Sequence, residues 1–374
     1  MSRSSIFNFE SFQGFKLGRP LTLLAVLASL AALETGLRQI PDAWLFQPSS
    51  RLGYGSFLER EVLPKFESPR ILILGSSRTA DAFVPRQLDG LLGLPAGSTL
   101  NLSQPGGASY EFLRLYQRNR TRLAPVKLVL LNLDEWTFSS GCALDERYFL
   151  HASFAERLAF AQPAPIPLRP EEPPEKYAMR EREHFQHLED LQATLLVDGC
   201  FSMRLRLPKL SSACFIHLGL KKRRSPKLDE NNQVRATDAQ EGREGMDPGA
   251  IRALADRTYQ DFDTHPLLLR HIETFAQLVQ EDGGRLVLLQ LPARAQYQKE
   301  VEARHGPCYR QHRQALEDLA RRVGAPLFPF RLPEECGLQD GDYMDAWHLS
   351  VKGAQKFTRY IAEWLRQEGF LNSL

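Results

Sequence analysis

Short runs of branched aliphatic residues alternate along this chain with segments whose apolar positions recur every three or four residues. "RILILG", starting at Arg70 and bounded by Pro69 and Gly75, has the length and composition of a strand buried on both faces. "STLNLS" (Ser98–Ser103) and "VKLVLLNLD" (Val126–Asp134) follow at α/β spacing, with helical periodicity over Tyr110–Leu123 between them. The pattern resumes late with a helix over Leu267–Gln280, the strand "RLVLLQLP" (Arg285–Pro292), a helix over Tyr309–Gly324, the strand "PLFPF" and a closing helix from Val351. Strands alternating with helices imply parallel pairing through right-handed crossovers, so the expectation is an α/β domain with a five-strand parallel sheet.

Two stretches fall outside this alternation. Leu21–Leu33 is apolar or small except for Thr22 and Ser29, and Lys16 and Arg19 precede it. Basic residues stay on the cytoplasmic side, so this pattern sends everything after about Leu37 across the membrane. A cleaved signal peptide needs small residues at its processing site, and "ALETGLRQI" offers a poor one, which favours an uncleaved signal anchor. A buried soluble helix is the remaining alternative. The second stretch, residues 139–265, is rich in charge and proline. It reads as an insertion, with helix around Lys176–Leu195 and disorder near Lys221–Gly245. The predicted organisation is a cytoplasmic tail and anchor over 1–37, a connector over 38–69, and an α/β domain over 70–374 interrupted by that insertion.

Composition narrows the function. A formal net charge of +2 over 374 residues gives no reason to expect nucleic acid as a partner. The basic run Lys221–Arg224 could touch an anionic membrane or glycan, but acidic residues soon after it cancel its local field, so a solvated loop is the better reading. Of the five cysteines, Cys308 with Cys336 and Cys200 with Cys214 can pair in an oxidising compartment, leaving Cys142 odd; free buried thiols are the equal alternative.

Ligands of open parallel sheets gather beyond the carboxyl ends of the strands. Three loops meet that description: Gly75-Ser76-Ser77-Arg78, "SQPGGAS" (Ser103–Ser109) and "DYMDAWHLS", which holds Asp345 and His348. A serine hydroxyl needs a base, an imidazole near neutral pH supplies one, and a carboxylate fixes its tautomer. Ser77, His348 and Asp345 are therefore the candidate nucleophile, base and orienting acid. Backbone amides of Ser77 and Gly106 are the candidate oxyanion donors, an effect worth about 3–4 kcal/mol each in well-studied cases. Read alone, Ser77 is better taken as a helix cap; the Asp345/His348 pair in the expected order turns the balance to the nucleophile.

In this order the motifs resemble those of the SGNH or GDSL hydrolases. Gly75-Ser76-Ser77 is similar to the family's first block, "NLSQPGGAS" with Asn101 and Gly106 to the second, and Asp345-Ala346-Trp347-His348 to the closing Asp-x-x-His. The resemblance covers roughly residues 70–135 and 285–368. It implies a three-layer α/β/α, flavodoxin-like fold, with Ser77, His348 and Asp345 catalytic and no metal or cofactor. The third block departs: "LNLDEWTF" places Asp134 and Glu135 where the family has an asparagine donor, and a carboxylate donates only when protonated. Asn132 is nearby, but its register points it elsewhere.

The Gly-Ser-Ser form and the anchor resemble the branch containing alginate O-acetylation and teichoic-acid D-alanylation proteins. That likeness implies a single-pass protein of the cytoplasmic membrane with its catalytic domain on the extracytoplasmic side. Its partners would be an acylated glycan or other envelope acyl ester, and a membrane-bound acyl donor protein. Arg78, Asn101 and Asp134 are further candidates for contacting substrate. The alternative from another class is an inactive scaffold that binds an envelope polymer or organises a membrane-bound assembly.

Other clusters read as structural. His305, Cys308 and His312 lack a recognised zinc spacing, as do Asp261, Asp263 and His265. His184 and His187 lie on a polar helix, whose Phe185, Leu188 and Leu191 read as packing residues. No Gly-x-Ser-x-Gly elbow, Walker loop or dinucleotide fingerprint is present.

Overall fold

The computed structural model describes residues 19–137, 139, 173–179, 181–182, 203–226, 228, 242, 245–260, 262 and 264–373. Strands β1 (Ile71–Leu74), β2 (Thr99–Asn101), β3 (Leu128–Asn132) and β4 (Arg285–Leu289) form a parallel sheet in the order β2-β1-β3-β4. Ile71 is in register with Thr99 on one side and Leu128 on the other, and Leu128 with Arg285. Successive side chains point to opposite faces. Leu72, Leu74, Val129, Leu131 and Leu288 therefore enter one core, and Ile71, Ile73, Leu130, Val287 and Leu289 the other. Burial on both faces is why the strands read as unbroken apolar runs.

The longer helices are α1 (Arg19–Gln39), α2 (Ser77–Ala82), α3 (Pro85–Leu92), α4 (Ser109–Arg118), α5 (Met203–His217), α6 (Pro248–Tyr259), α7 (Pro266–Glu281), α8 (Ala295–Val323) and α9 (Val351–Gln367). Side chains of α4, α6, α7 and α8 fill the first core; those of α3 and α9 fill the second. The result is a three-layer α/β/α body.

The sheet has four strands rather than the expected five. "PLFPF" contributes a single parallel bridge, Leu327 to Leu288, in which Leu288 N donates to Pro326 O and Phe328 N to Leu288 O. Pro326 and Pro329 have no N–H to extend the ladder in either direction. The helix expected over Tyr309–Gly324 begins earlier, at Ala295, and crosses a kink where His305 leaves helical geometry ahead of Pro307.

The predicted connector also differs. Short helical turns at Tyr54–Phe57, Leu58–Val62 and Leu63–Lys65 bury Leu58, Val62 and Leu63 in the first core. Within residues 139–265, α6 packs Ile251, Ala255 and Tyr259 into that core as well. The helix expected over Lys176–Leu195 is described only at 174–179 and 181–182, which are helical. Cys142, His184, Phe185, His187, Leu188, Leu191, Cys200, Asp261 and Asp263 lie outside the described residues, as does most of 227–244. Cys308 and Cys336 enter the cores on opposite faces of the sheet and do not pair with each other; Cys214 is an exposed thiol.

α1 spans 21 residues, and its Leu21–Gln39 portion, with mean hydropathy 1.5, is long and apolar enough to cross a membrane. Most of its side chains are exposed, while Glu34 is buried and accepts from Arg38 Nε at 2.7 Å. It is a candidate membrane anchor or signal sequence.

Candidate active site

β1 and β3 are neighbours, but the chain leaves β1 for β2 on one side before returning to β3 on the other. The crevice beyond their carboxyl ends is the switch point where such sheets bind ligands. From Leu74 the chain turns through Gly75 and Ser76 into α2. A Cβ on Gly75 would lie 2.7 Å from Thr79 Cβ and closer still to its hydroxyl, so the turn requires glycine. Ser76 is the N-cap of α2: its Oγ accepts from Arg78 N at 3.2 Å and donates to Asp134 Oδ2. Capping thus falls to Ser76. Ser77, first residue of the helix and half-buried, has its Oγ 2.8 Å from His348 Nε2.

The Asp345/His348 loop comes from the far end of the chain. Tyr343 and Leu349 form an antiparallel bridge, and Met344 N donates to His348 O at 2.8 Å, closing a tight loop before α9. His348 Nδ1 bonds Asp345 Oδ2 at 2.7 Å, while Asp345 Oδ1 accepts from the amides of Trp347 at 2.7 Å and His348 at 2.8 Å. Arg294, fully buried just beyond β4, donates from Nη2 to Asp340 O at 2.7 Å and Tyr343 O at 3.2 Å, and its amide donates to Ala346 O at 2.9 Å. Trp347, between the acid and the histidine, packs edge-on against Trp136 and Tyr297.

These contacts set the charges. Burial raises the Asp345 pKa, but the His348 hydrogen bond and charge, with the two backbone amides, outweigh it and hold the carboxyl down at about 2. Burial likewise disfavours a charged His348, yet the Asp345 hydrogen bond and charge, helped by Asp81, raise its pKa above the ordinary imidazole value. A base of raised pKa, oriented by an ionised carboxylate and touching a half-exposed hydroxyl, has the parts needed to remove the Ser77 proton.

The loop after β2 is tied to the serine turn: Gln104 N donates to Gly75 O at 2.9 Å, and Gly107 N to Gln104 O at 2.8 Å. Gly106 is exposed there with φ of +61°, a backbone conformation that favours glycine. A Cβ on Gly107 would meet Gly75 O at 2.9 Å, so that glycine permits the close approach of the two loops.

The three candidate substrate contacts are placed differently. Arg78 is 1 % exposed; its Nη1 lies 2.8 Å from Asp134 Oδ1 and 3.2 Å from Glu135 Oε2, and its Nη2 donates to Leu291 O at 2.8 Å. Its charge is spent on two buried carboxylates rather than offered to an anionic substrate group. Asp134, fully buried, accepts from Ser76, Arg78 and Asn132 Nδ2. Asn101 is buried, its Oδ1 accepting from Ser103 N at 3.1 Å. Asn132 is fully buried, its Oδ1 accepting from Leu291 N at 3.0 Å and its Nδ2 donating to Asp134 Oδ1 at 3.0 Å.

Beneath the site lies a polar layer that sequence reasoning missed. Tyr259 Oη donates to Glu135 Oε1 at 2.9 Å, and burial keeps the neighbouring His312 neutral, its pKa pushed down to about 3. The available signal was an arginine after β1 facing two consecutive carboxylates after β3, the adjacent strand. Arg294 gave no comparable signal. Of the metal-like clusters, His305 Nε2 bonds Asp256 Oδ1 at 2.7 Å and His265 caps α7 by accepting from Leu267 N, while Asp261 and Asp263 lie outside the described residues. Among the described residues no three His, Cys, Asp or Glu side chains gather as metal ligands.

No family model and no curated protein matches the chain. Among solved structures it is similar to a protein of Bacteroides fragilis assigned as an acylhydrolase, at 11% identity over 83% of this chain and 96% of the other, with a TM-score of 0.35. It is similar also to a GDSL-like lipase of Bacteroides thetaiotaomicron, at 12% identity over 84% of this chain and 98% of the other, again with a TM-score of 0.35.

Proposed function

We propose that the chain is a serine esterase or O-acyltransferase acting on acyl esters of a cell-envelope glycan, held by α1 as a single-pass protein of the cytoplasmic membrane with its α/β body outside. The observation carrying this reading is the continuous hydrogen-bonded chain from Ser77 Oγ through His348 to Asp345, at 2.8 and 2.7 Å. Ser77 Oγ attacks the ester carbonyl carbon as its proton passes to His348 Nε2, and Asp345 stabilises the resulting imidazolium. The backbone amides of Ser77 and Gly106 receive the developing oxyanion. Collapse breaks the bond to the leaving alkoxide, which takes the proton from His348. Water or a sugar hydroxyl, deprotonated by the same imidazole, then releases the acyl group from Ser77. In the transfer version a membrane-bound acyl donor protein supplies that group.

The second reading is an inactive scaffold that binds an envelope polymer. One observation favours it: the strand end that would supply a third oxyanion donor carries Asp134, which accepts three interactions and donates none. Fluorophosphonate labelling separates the two. An active enzyme labels at Ser77, and labelling is lost in Ser77→Ala. Absence of labelling in the folded parent overturns catalysis and leaves the scaffold.

A further inference from the structure

α5 is apolar on two faces. Arg206, Leu210 and Ala213 face the segment after α1, where Ala213 and Leu210 pack with Leu45, Phe46, Leu52, Ile40 and Trp44. The other face leaves Leu207 and Phe215 exposed at 45% and 51%, and the turn beyond it leaves Leu218 and Leu220 exposed at 71% and 72%. Lys221, Lys222 and Arg223, which follow the turn, are exposed as well, Lys221 Nζ donating to Ser212 Oγ at 2.9 Å. Scattered exposed leucines need no explanation, but four large apolar residues in one short stretch that runs into three exposed cations do.

This stretch is fixed to the end of the apolar helix. Arg206 Nη1 donates to Leu37 O at 3.2 Å and Ile40 O at 2.7 Å, the last carbonyls of α1 and its exit, and Nη2 donates to Asp42 Oδ1 at 2.6 Å. The His217 ring stacks on Trp44 at 4.5 Å. The basic run is held as well: Arg224 N donates to Gln47 Oε1 at 3.2 Å, and Ser49 N to Arg224 O at 3.2 Å. Through Arg206 the helix bearing the exposed apolar residues is fixed at the carboxyl end of α1, whose own apolar side chains from Leu21 to Leu33 are mostly exposed.

We infer that residues 203–224 form a membrane-interface seat. Leu207, Phe215, Leu218 and Leu220 enter the headgroup boundary of the bilayer that α1 crosses, and Lys221, Lys222 and Arg223 meet anionic lipid phosphates there. The occupant is the lipid surface itself. Continuity with α1 selects the bilayer, and the mixture of apolar and cationic side chains matches its boundary rather than its hydrocarbon core or bulk water. This inference rests on α1 being the anchor of the proposed function. Its consequence is positional: Arg206 converts a one-helix tether into a two-point mount, so the α/β body is held at a set height and tilt rather than swinging.

The full chain in nanodiscs tests it. In Leu218→Trp, the added emission should be blue-shifted and several-fold more quenched by acyl-brominated phosphatidylcholine than the parent's four tryptophans. The shift should grow when phosphatidylglycerol is included, and that increment should vanish in Lys221→Gln/Lys222→Gln/Arg223→Gln. A photoreactive benzoylphenylalanine replacing Phe215 should crosslink to lipid. Water-like, unquenched emission, crosslinking to another protein, or a chain that fails to enter nanodiscs overturns the seat. Fluorophosphonate labelling in the same nanodiscs reports separately on Ser77: labelled but unquenched sinks the seat alone, and quenched but unlabelled sinks catalysis alone.

Discussion

Ser77 Oγ stands 2.8 Å from His348 Nε2 across 271 positions of sequence. The separation is spanned because β1 and the loop before α9 both end at the carboxyl edge of the sheet. Burial lowers the His348 pKa, but the hydrogen bond and charge of Asp345 outweigh it and leave a net rise. Only neutral imidazole accepts the serine proton, so labelling of Ser77 should increase with pH through a midpoint above the ordinary value of about 6.5. Asp345→Asn removes the anion, so the midpoint should fall. The rate should drop by about 10⁴-fold, as when other Ser-His-Asp sites lose their acid. A pH–rate profile for fluorophosphonate labelling measures both; an unmoved midpoint in the variant breaks the assignment of Asp345.

The same pair gives folding stability a pH dependence of definite sign. Asp345 is depressed in the folded chain, so its contribution is present above the unfolded value of about 3.9 and is lost as pH falls through about 2. His348 is raised, so its contribution is present below its unfolded value of about 6.5 and is lost as pH rises past the folded value. The pair should therefore stabilise most between about pH 4 and 6.5. The Asp345 side chain is 46% exposed and solvent screens it, so the effect is modest. Urea midpoints of the parent and Asp345→Asn should differ most inside this window and converge on either side.

Arg78 carries the larger energetic stake. It sits 1 % exposed between Asp134 and Glu135, and both carboxylates are buried with it. Removing one member of such a cluster leaves uncompensated buried charge, so Arg78→Leu should lose about 3–5 kcal/mol of stability. Arg78→Lys keeps the charge but lacks the fork that reaches Asp134, Glu135 and Leu291 O together, and should lie between. Denaturant unfolding ranks the three chains. Equal midpoints for Arg78→Leu and the parent would show that the carboxylates are neutral or relaxed.

These contacts mark the boundary of what the chain discloses without coordinates. The branched runs at Ile71, Leu128 and Leu286 revealed a sheet buried on both faces because that burial acts residue by residue. Asp345 and His348 were legible because three residues of spacing suffice for their contact. Division of labour between Ser76 and Ser77 was not, since it depends on Asp134 arriving from β3 to take the Ser76 hydroxyl. Arg78 read as a surface or salt-bridged residue or a substrate contact, and its partners could not be named because they are 56 and 57 positions away, on another strand end. The fifth strand failed on chemistry that was visible, since both prolines of "PLFPF" withdraw donors from the ladder.

Arg294 supplies the remaining prediction. Its guanidinium donates to the carbonyls of Asp340 and Tyr343 and its amide to that of Ala346, so one buried residue beyond β4 holds the incoming limb and the tip of the loop carrying Asp345 and His348. Arg294→Met keeps much of the volume and removes the side-chain donors, leaving the Tyr343 carbonyl short of a partner at about 1–3 kcal/mol, while Asp340 O keeps Tyr343 N at 3.1 Å. Because α9 is independently capped by Ser350, whose Oγ accepts from Gly353 N, and its Lys356 pairs with Asp342, the loss should stay local to the loop. Hydrogen exchange of the 342–349 amides should therefore accelerate while that of β1 and β3 does not. Ser77 labelling should slow with an unchanged pH midpoint, since the imidazole keeps its acid but spends less time aligned. Arg294→Lys, able to reach one carbonyl, should recover part of the rate. If exchange rises across the whole sheet, Arg294 stabilises the fold at large. If neither exchange nor labelling moves, the loop is held by Tyr343 and Leu349 without it.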